Sequence, residues 1–173
     1  MARRGGTSAA GAARLGELLA LIDEAWERRA WHGTNLRGAL RGMGAEQAAW
    51  RPAPDRHNAW EEAVHAAYWK YAVRRRLTGE KRGSFALTGS NWFARPEGAA
   101  DEAAWRRDLK LLADEHRALR AVVAAFDPAA LDRRPPGSKH TAAFMLRGIA
   151  SHDLYHAGQI QLLKRLHASA RAR

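Results

Sequence analysis

Residues 147–165 read RGIASHDLYHAGQIQLLKR. Placed at 3.6 residues per turn, His152, His156 and Gln159 fall on one stripe of a helix. Met145 and Ile149 continue that stripe in one direction, Leu163 and Leu166 in the other. An apolar stripe of this kind faces the interior of a bundle, so two imidazoles are written into a buried seam. A buried polar group is costly unless it is paired. The rings must therefore find partners, and a metal ion is the leading candidate. The alternative is a set of core histidines bonded to carbonyls and carboxylates.

The chain of 173 residues suits one domain with a full-sized core. Hydrophobic residues make up 46% of it, which is ordinary for a globular protein. Ala, Arg and Leu dominate and β-branched residues are scarce, a mix that favours helix throughout. There is no cysteine. Disulfides, thiolate ligands and a thiol nucleophile are thereby excluded, and any metal site must use nitrogen and oxygen. No apolar run approaches the ~20 residues of a membrane span, and no signal peptide is read, so a cytoplasmic protein is expected.

The net charge is +11 and the pI near 11.1. Such a balance can serve nucleic-acid binding. Here the cations are spread out, at Arg3, Arg4 and Arg14, at Arg74 to Arg76 and again from Lys164 onward. No recognition-helix pattern and no aromatic-interleaved basic stripe accompanies them. Solvated helix faces are the preferred reading, and nucleic acid is not expected as a partner.

Residues 1–13 are Gly, Ala, Arg and Ser and read as a flexible basic arm. The first helix is expected over about residues 14–31, with Leu15, Leu18, Leu19, Ile22 and Trp26 on one face. A bend at residues 32–35 precedes a shorter helical stretch ended by Gly42 and Gly44, and a helical turn follows around residues 46–50. Asn58 is a good N-cap for a second long helix that Gly79 stops. Glu61 and Glu62 in its first turns and Arg74, Arg75 and Arg76 in its last complement the helix dipole.

Residues 80–100 have little periodicity. A connection this long is unusual in a bundle, and it can carry the chain back so that the second and third long helices run parallel. The third helix, residues 101–126, puts Trp105, Leu109, Leu112, His116, Leu119 and Val123 on one face. The fourth covers residues 142–168, and residues 169–173 form a basic tail. The expected fold is all-α: one four-helix bundle over residues 14–168 with a long crossover between helices two and three.

His152 and His156 can point at one ion, because positions four apart are neighbours on a helix. A third ligand must come from another helix, and His65 is the best candidate, sharing a face with Glu61 and Trp69. Here the sequence resembles a known family. HDLYHAGQIQLLK at residues 152–164 looks like the C-terminal signature of the DinB-like superfamily. EEAVHAAYWKY at 61–71, followed by RRRLTGE at 74–80, resembles its second helix. GSNWF, AAWRRDLKLL and WHGTNLRGAL also fit, and the resemblance runs from about residue 15 to 166.

The resemblance implies an up-down-down-up four-helix bundle, often dimeric, with a divalent metal held by three histidines. These map onto His65, His152 and His156. Relatives include S-transferases that use a low-molecular-weight thiol such as bacillithiol or mycothiol, and a mycothiol-dependent isomerase. The family name comes from a DNA-damage-inducible member and does not establish a role in repair.

Three neutral imidazoles suit zinc, nickel or iron and leave positions open for water or a thiol co-substrate. Glu61 is a candidate to orient an imidazole or act as a base, although dipole complementarity also accounts for it. Gln159 is a candidate to bind a small-molecule substrate or metal-bound water. Tyr155 and Tyr68 flank the stripe as hydrogen-bond donors. His116 is either a fourth ligand or a core histidine. Trp31, Trp60 and Trp92 either line a pocket or pack in the core.

Opposite the histidine stripe lie Ala150, Leu154, Ala157 and Gln161, small and apolar where a solvated face would be charged. They suggest contact with another helix or a second subunit, hence a homodimer. The function expected is a metal-dependent transferase or hydrolase. A closed, non-catalytic metal site and a nucleic-acid-binding stress protein are the competing readings.

Overall fold

Among the described residues, the helix-forming composition yields six α-helices: α1 (Arg4–Trp26), α2 (Leu36–Leu40), α3 (Ala45–Ala49), α4 (Ala59–Thr78), α5 (Glu102–Ala124) and α6 (Ala142–Arg171). The computed structural model describes residues 4–172, and among these there is no strand. Local chemistry sets the ends. The Asn58 Oδ1 accepts the Glu61 N–H while the Glu61 carboxylate accepts the Asn58 N–H, and Gly79 closes α4 at a φ of 76°. Asp101 caps α5 and Thr141 caps α6 in the same side-chain-to-backbone manner.

Three boundaries differ from expectation. α1 begins at Arg4, well inside the stretch expected to be an arm. Ala9, Ala10, Ala12 and Ala13 are the best helix formers, and lengthening an existing helix avoids the cost of a new nucleus. Gly11 lets this turn approach a 3-10 turn at Pro128–Ala130, where an added Cβ would sit 3.2 Å from the Pro128 Cβ. α1 also stops at Trp26, leaving Trp31 fully exposed rather than in a core or pocket. α6 continues to Arg171 through most of the expected tail. Residues 1–3 and 173, the outer ends of the expected arm and tail, lie outside the described residues.

The long helices pack as α4 on α5 and α6, and α1 on α5 and α6. Between α4 and α5, Trp60 meets Trp105 and Asp108, and Lys70 meets His116. Between α4 and α6, Glu62 meets His156 and Lys70 meets Asp153. Between α1 and α5, Asp23 meets Arg120 and Trp26 stacks on His116. The short helices close one end: Lys164 of α6 donates to the Ala39 and Arg41 carbonyls, and the Trp105 indole donates to the Met43 carbonyl.

The face of α6 expected to meet another helix or a second subunit meets helices of the same chain. Ala150 lies in the cluster with Leu15, Leu18 and Ile22 of α1, with Leu154 packed against it. Ala157 lies with Leu36 and Ala39 of α2. Leu166, expected on the buried stripe, is 41% exposed instead, and at this level of α6 the next residue, His167, is the one turned inward, against Trp50.

The core is two apolar clusters with a polar layer between them. One cluster holds Trp60, Ala63, Val64, Trp105, Leu112 and Ile160, the other Val73, Leu119, Leu146 and Ile149. Between them, Lys70 is fully buried and donates to Asp153, which is equally enclosed. The Lys70 Nζ also lies 3.4 Å from the His116 Nδ1 and 5.4 Å from the Trp26 ring centroid. Burial pushes the Asp153 carboxyl up, against the pull of Lys70. Burial, helped by Lys70, lowers His116 to about 3.

Removing one member of a buried pair leaves the other charge without compensation. Asp153→Ala is therefore expected to cost about 3–5 kcal/mol in urea unfolding, and the double replacement Lys70→Met with Asp153→Leu to recover most of it. A single variant as mild as a surface substitution would contradict this account. His116 adds a pH dependence. Its folded value near 3 lies below its ordinary 6.5, so the unfolded chain binds the proton first. Its contribution is intact above pH ~6.5 and is lost as pH falls from there towards ~3. In His116→Phe the slope of stability against pH over that window should be shallower by up to ~1.4 kcal/mol per pH unit. An unchanged slope would mean that His116 does not titrate as described.

Candidate metal centre

The three histidines named from sequence converge. His65 comes from α4 and His152 and His156 from α6, and one nitrogen from each lies within 4.8 Å of the others. The His152 Nε2 is 3.1 Å from the His65 Nε2 and 3.0 Å from the His156 Nε2. A tetrahedral ion with bonds of ~2.0–2.1 Å spaces its ligand nitrogens by ~3.3 Å, so the cluster fits a metal closely.

The opposite ring nitrogens decide which way the lone pairs point. The His65 Nδ1 donates to the Asn91 carbonyl at 2.9 Å. A carbonyl cannot donate, so in the neutral ring the hydrogen is on Nδ1 and Nε2 presents its lone pair inward. His156 repeats the arrangement, with Nδ1 donating to the Glu62 carboxylate. Fixing ring and tautomer in this way also raises ligand basicity. The His152 Nδ1 is buried with no partner among the described residues. Burial is the main cause that lowers His65 to about 4 and His152 to about 3. Both rings are thus neutral at neutral pH, as metal ligands must be.

The His65 and His156 lone pairs thus face the His152 Nε2, which lies within hydrogen-bond distance of both, and the three nitrogens form a donor set that could hold a cation.

The segment between α4 and α5 is part of the centre. Its Asn91 adopts φ 66°, a left-handed conformation that Asn tolerates better than most residues. In that pose its carbonyl accepts from His65 and its side-chain oxygen accepts from the Trp69 indole at 3.0 Å. The next residue, Trp92, stacks on His65 with centroids 3.8 Å apart and on His57 with centroids 3.6 Å apart. Phe85 and Phe93 pack against Tyr68 and seat the segment. It returns to the start of α4, where the Asn58 side chain donates to the Arg95 carbonyl at 2.7 Å.

Glu61 is not brought to the imidazoles. Arg51 donates to both of its carboxylate oxygens, and His57 and the Arg95 N–H bind it as well. Burial alone would raise the Glu61 carboxyl, but the Arg51, His57 and Arg95 hydrogen bonds hold it below its usual range. Its role is to cap α4 and anchor the return of the segment.

The carboxylate on the site is Glu62, one position along. The clue in the sequence was that residues 62 and 65 are also neighbours on a helix. What spacing could not supply was the lateral position of α6, which decides which of two adjacent glutamates faces it.

His116 is likewise not a ligand, since its ring stacks on Trp26 and its Nδ1 faces Lys70. Tyr155 lies edge-on to His156 at 5.1 Å and is largely exposed, and Gln159 is half-buried, three positions past His156 on α6. Tyr68 belongs to the aromatic packing of the loop. Trp60 is core, and its indole donates to Asp108. His167 is buried against Trp50.

Residues 28–160 match the model of the DinB superfamily. The chain belongs to that superfamily, and the matched span includes all three converging histidines. No curated protein and no solved structure matches the chain. No helix among the described residues is long and apolar enough to cross a membrane.

Glu62→Ala should weaken zinc binding by about 10–100-fold, the usual cost of losing the partner of a ligating histidine. Glu61→Gln should lower Tm while leaving zinc affinity unchanged. Competition with a chromophoric chelator measures both. Equal effects of the two variants on zinc would overturn the division of roles between these neighbours.

Proposed function

We propose that this protein is a metal-dependent enzyme built as an up-down-down-up four-helix bundle. His65, His152 and His156 hold a divalent ion, zinc, nickel or iron, through their Nε2 atoms. The reaction is transfer of a low-molecular-weight thiol, or hydrolysis, on a small-molecule substrate. The observation that carries the reading is the convergence of three Nε2 atoms, two of them turned inward by bonds from the opposite nitrogen to Asn91 and Glu62.

The bundle direction is supported by the contact order. Residue numbers rise together along α4 and α5, through Trp60 with Trp105 and Lys70 with His116. They run oppositely along α4 and α6, and along α1 and α5.

An open centre is favoured over a closed one. His116, the fourth ligand that the sequence offered, and the nearby Glu61 are engaged elsewhere, and the group capable of holding an ion has three members among the described residues. When bound, such an ion acidifies a water or holds a thiolate, giving a nucleophile near neutral pH. Glu62 holds the His156 ring in place. Gln159 and Tyr155 beside it are positioned to orient substrate, and Trp92 against His65 keeps bulk water from that side of the rings. A homodimer remains part of the proposal, now resting on the exposed Phe144, Tyr155 and Leu162 of α6.

Elemental analysis of protein purified without chelator or nickel resin tests the reading. About one divalent ion per chain is expected, and His152→Ala should lose it while circular dichroism shows the helix content kept. Metal content unaffected by His152→Ala would sink the assignment.

A further inference from the structure

A cavity of about 420 Å³ lies between α4, the first half of α6 and the loop before it, and His152 forms part of its wall. Its volume falls within the range of small-molecule sites. Trp69, Val73, Met145 and Ile149 make its sides apolar, while Arg76 and Lys139 stand on it as cations. No Asp or Glu lines it.

Arg76 is half-buried, with its guanidinium 5.8 Å from the Trp69 ring centroid. The neighbouring Arg74 is paired with Glu80 and Glu115, whereas among the described residues Arg76 has no carboxylate partner. Burial, with Arg75 nearby, lowers its pKa. A cation partly withdrawn from water, fixed on an indole and facing a cavity free of acids is prepared for an anion brought by something else. Its planar fork matches a carboxylate.

We infer that this cavity binds a small carboxylate with an apolar or aromatic body, its carboxylate on Arg76 and Lys139 and its body along Trp69, Val73 and Ile149. The inference deepens the proposed function, resting on it only for the reactive end of the ligand, which lies at His152. Apolar walls select an organic acid over an inorganic anion, because burying the body displaces water that phosphate alone would leave in place. Gly148 provides an independent handle. It lines the cavity, and an added Cβ there would meet nothing within 4 Å. A side chain can therefore be grown into the space from a helix that tolerates every residue but proline better than glycine.

Calorimetric titration with 3-phenylpropionate, 3-phenylpropan-1-ol, propionate and inorganic phosphate tests the inference on zinc-loaded and on EDTA-stripped protein. The expected result is that 3-phenylpropionate binds about tenfold or more tightly than each of the others in both forms. Arg76→Gln should remove that advantage over the alcohol. Gly148→Leu should abolish binding of both phenyl compounds without lowering Tm or zinc content. Equal affinity for acid and alcohol, equal affinity for phosphate, or an Arg76→Gln variant that binds as the parent does would overturn it.

Carboxylate binding that requires zinc and ignores Arg76→Gln would place the acid on the ion, overturning this inference while leaving the metal reading intact. Arg76-dependent binding in a protein that takes up no zinc would have the reverse meaning.

Discussion

A lysine and an aspartate with almost no contact with water sit at mid-height in this protein, and their pairing constrains everything around them. Lys70 of α4 and Asp153 of α6 are each the other's main compensation for lost hydration. A pair of this kind adds little net stability compared with apolar residues of the same size, but it penalises every arrangement that separates the partners. Sliding α6 by one turn along α4 would strand both charges. The two apolar clusters above and below have no such preference, since Leu, Ile and Ala can repack against shifted neighbours at modest cost. The register of α4 against α6 is thus set by the polar layer, and the apolar clusters supply the drive to bury it.

The candidate metal centre inherits that register. His152 adjoins Asp153 in the chain, and His65 lies a little over one turn before Lys70, so the alignment that joins the ion pair also brings the imidazoles together. The segment between α4 and α5 then finishes the centre from outside. Its Asn91 and Trp92 touch His65, and its return to Asn58 and Glu61 ties it to the start of the same helix. A long connection is ordinarily the mobile part of a bundle. Here it has aromatic anchors in Phe85 and Phe93 and a carboxylate clamp at Glu61, so it acts as a wall of the site. The cavity with Arg76 opens on another side of the centre, through His152.

The all-helical character and most helix limits were readable from residues alone, because they depend on local chemistry. Asn58 before two glutamates and Gly79 after three arginines bracket α4 as read. The periodic face of α5 from Trp105 to Val123 is buried as read, including His116, with Leu109 only partly so. The three histidines could be named because positions four apart on one helix are neighbours in any fold, and because His65, a candidate from its place on the second long helix, coincides with the third histidine of the resemblance. Local rules failed where two elements compete for the same residue. The Ala-rich start reads as an arm only if α1 is assumed to need an apolar face from its first turn. The small-residue face of α6 reads equally as a helix contact or a subunit contact until α1 and α2 are placed on it.

Spacing along the chain therefore settled which residues lie on which helix face, since that follows from 3.6 residues per turn whatever surrounds the helix. It could not settle what each face meets. Glu61 and Glu62 are equivalent by composition and differ by one position, yet one clamps a loop and the other holds the His156 ring. Asn91 offers no periodic signal, and its carbonyl matters only because the returning loop puts a left-handed residue beside His65. These assignments depend on how helices cross and where a loop lands. Both are fixed by burial of groups far apart in the chain, and that information enters only when the core closes.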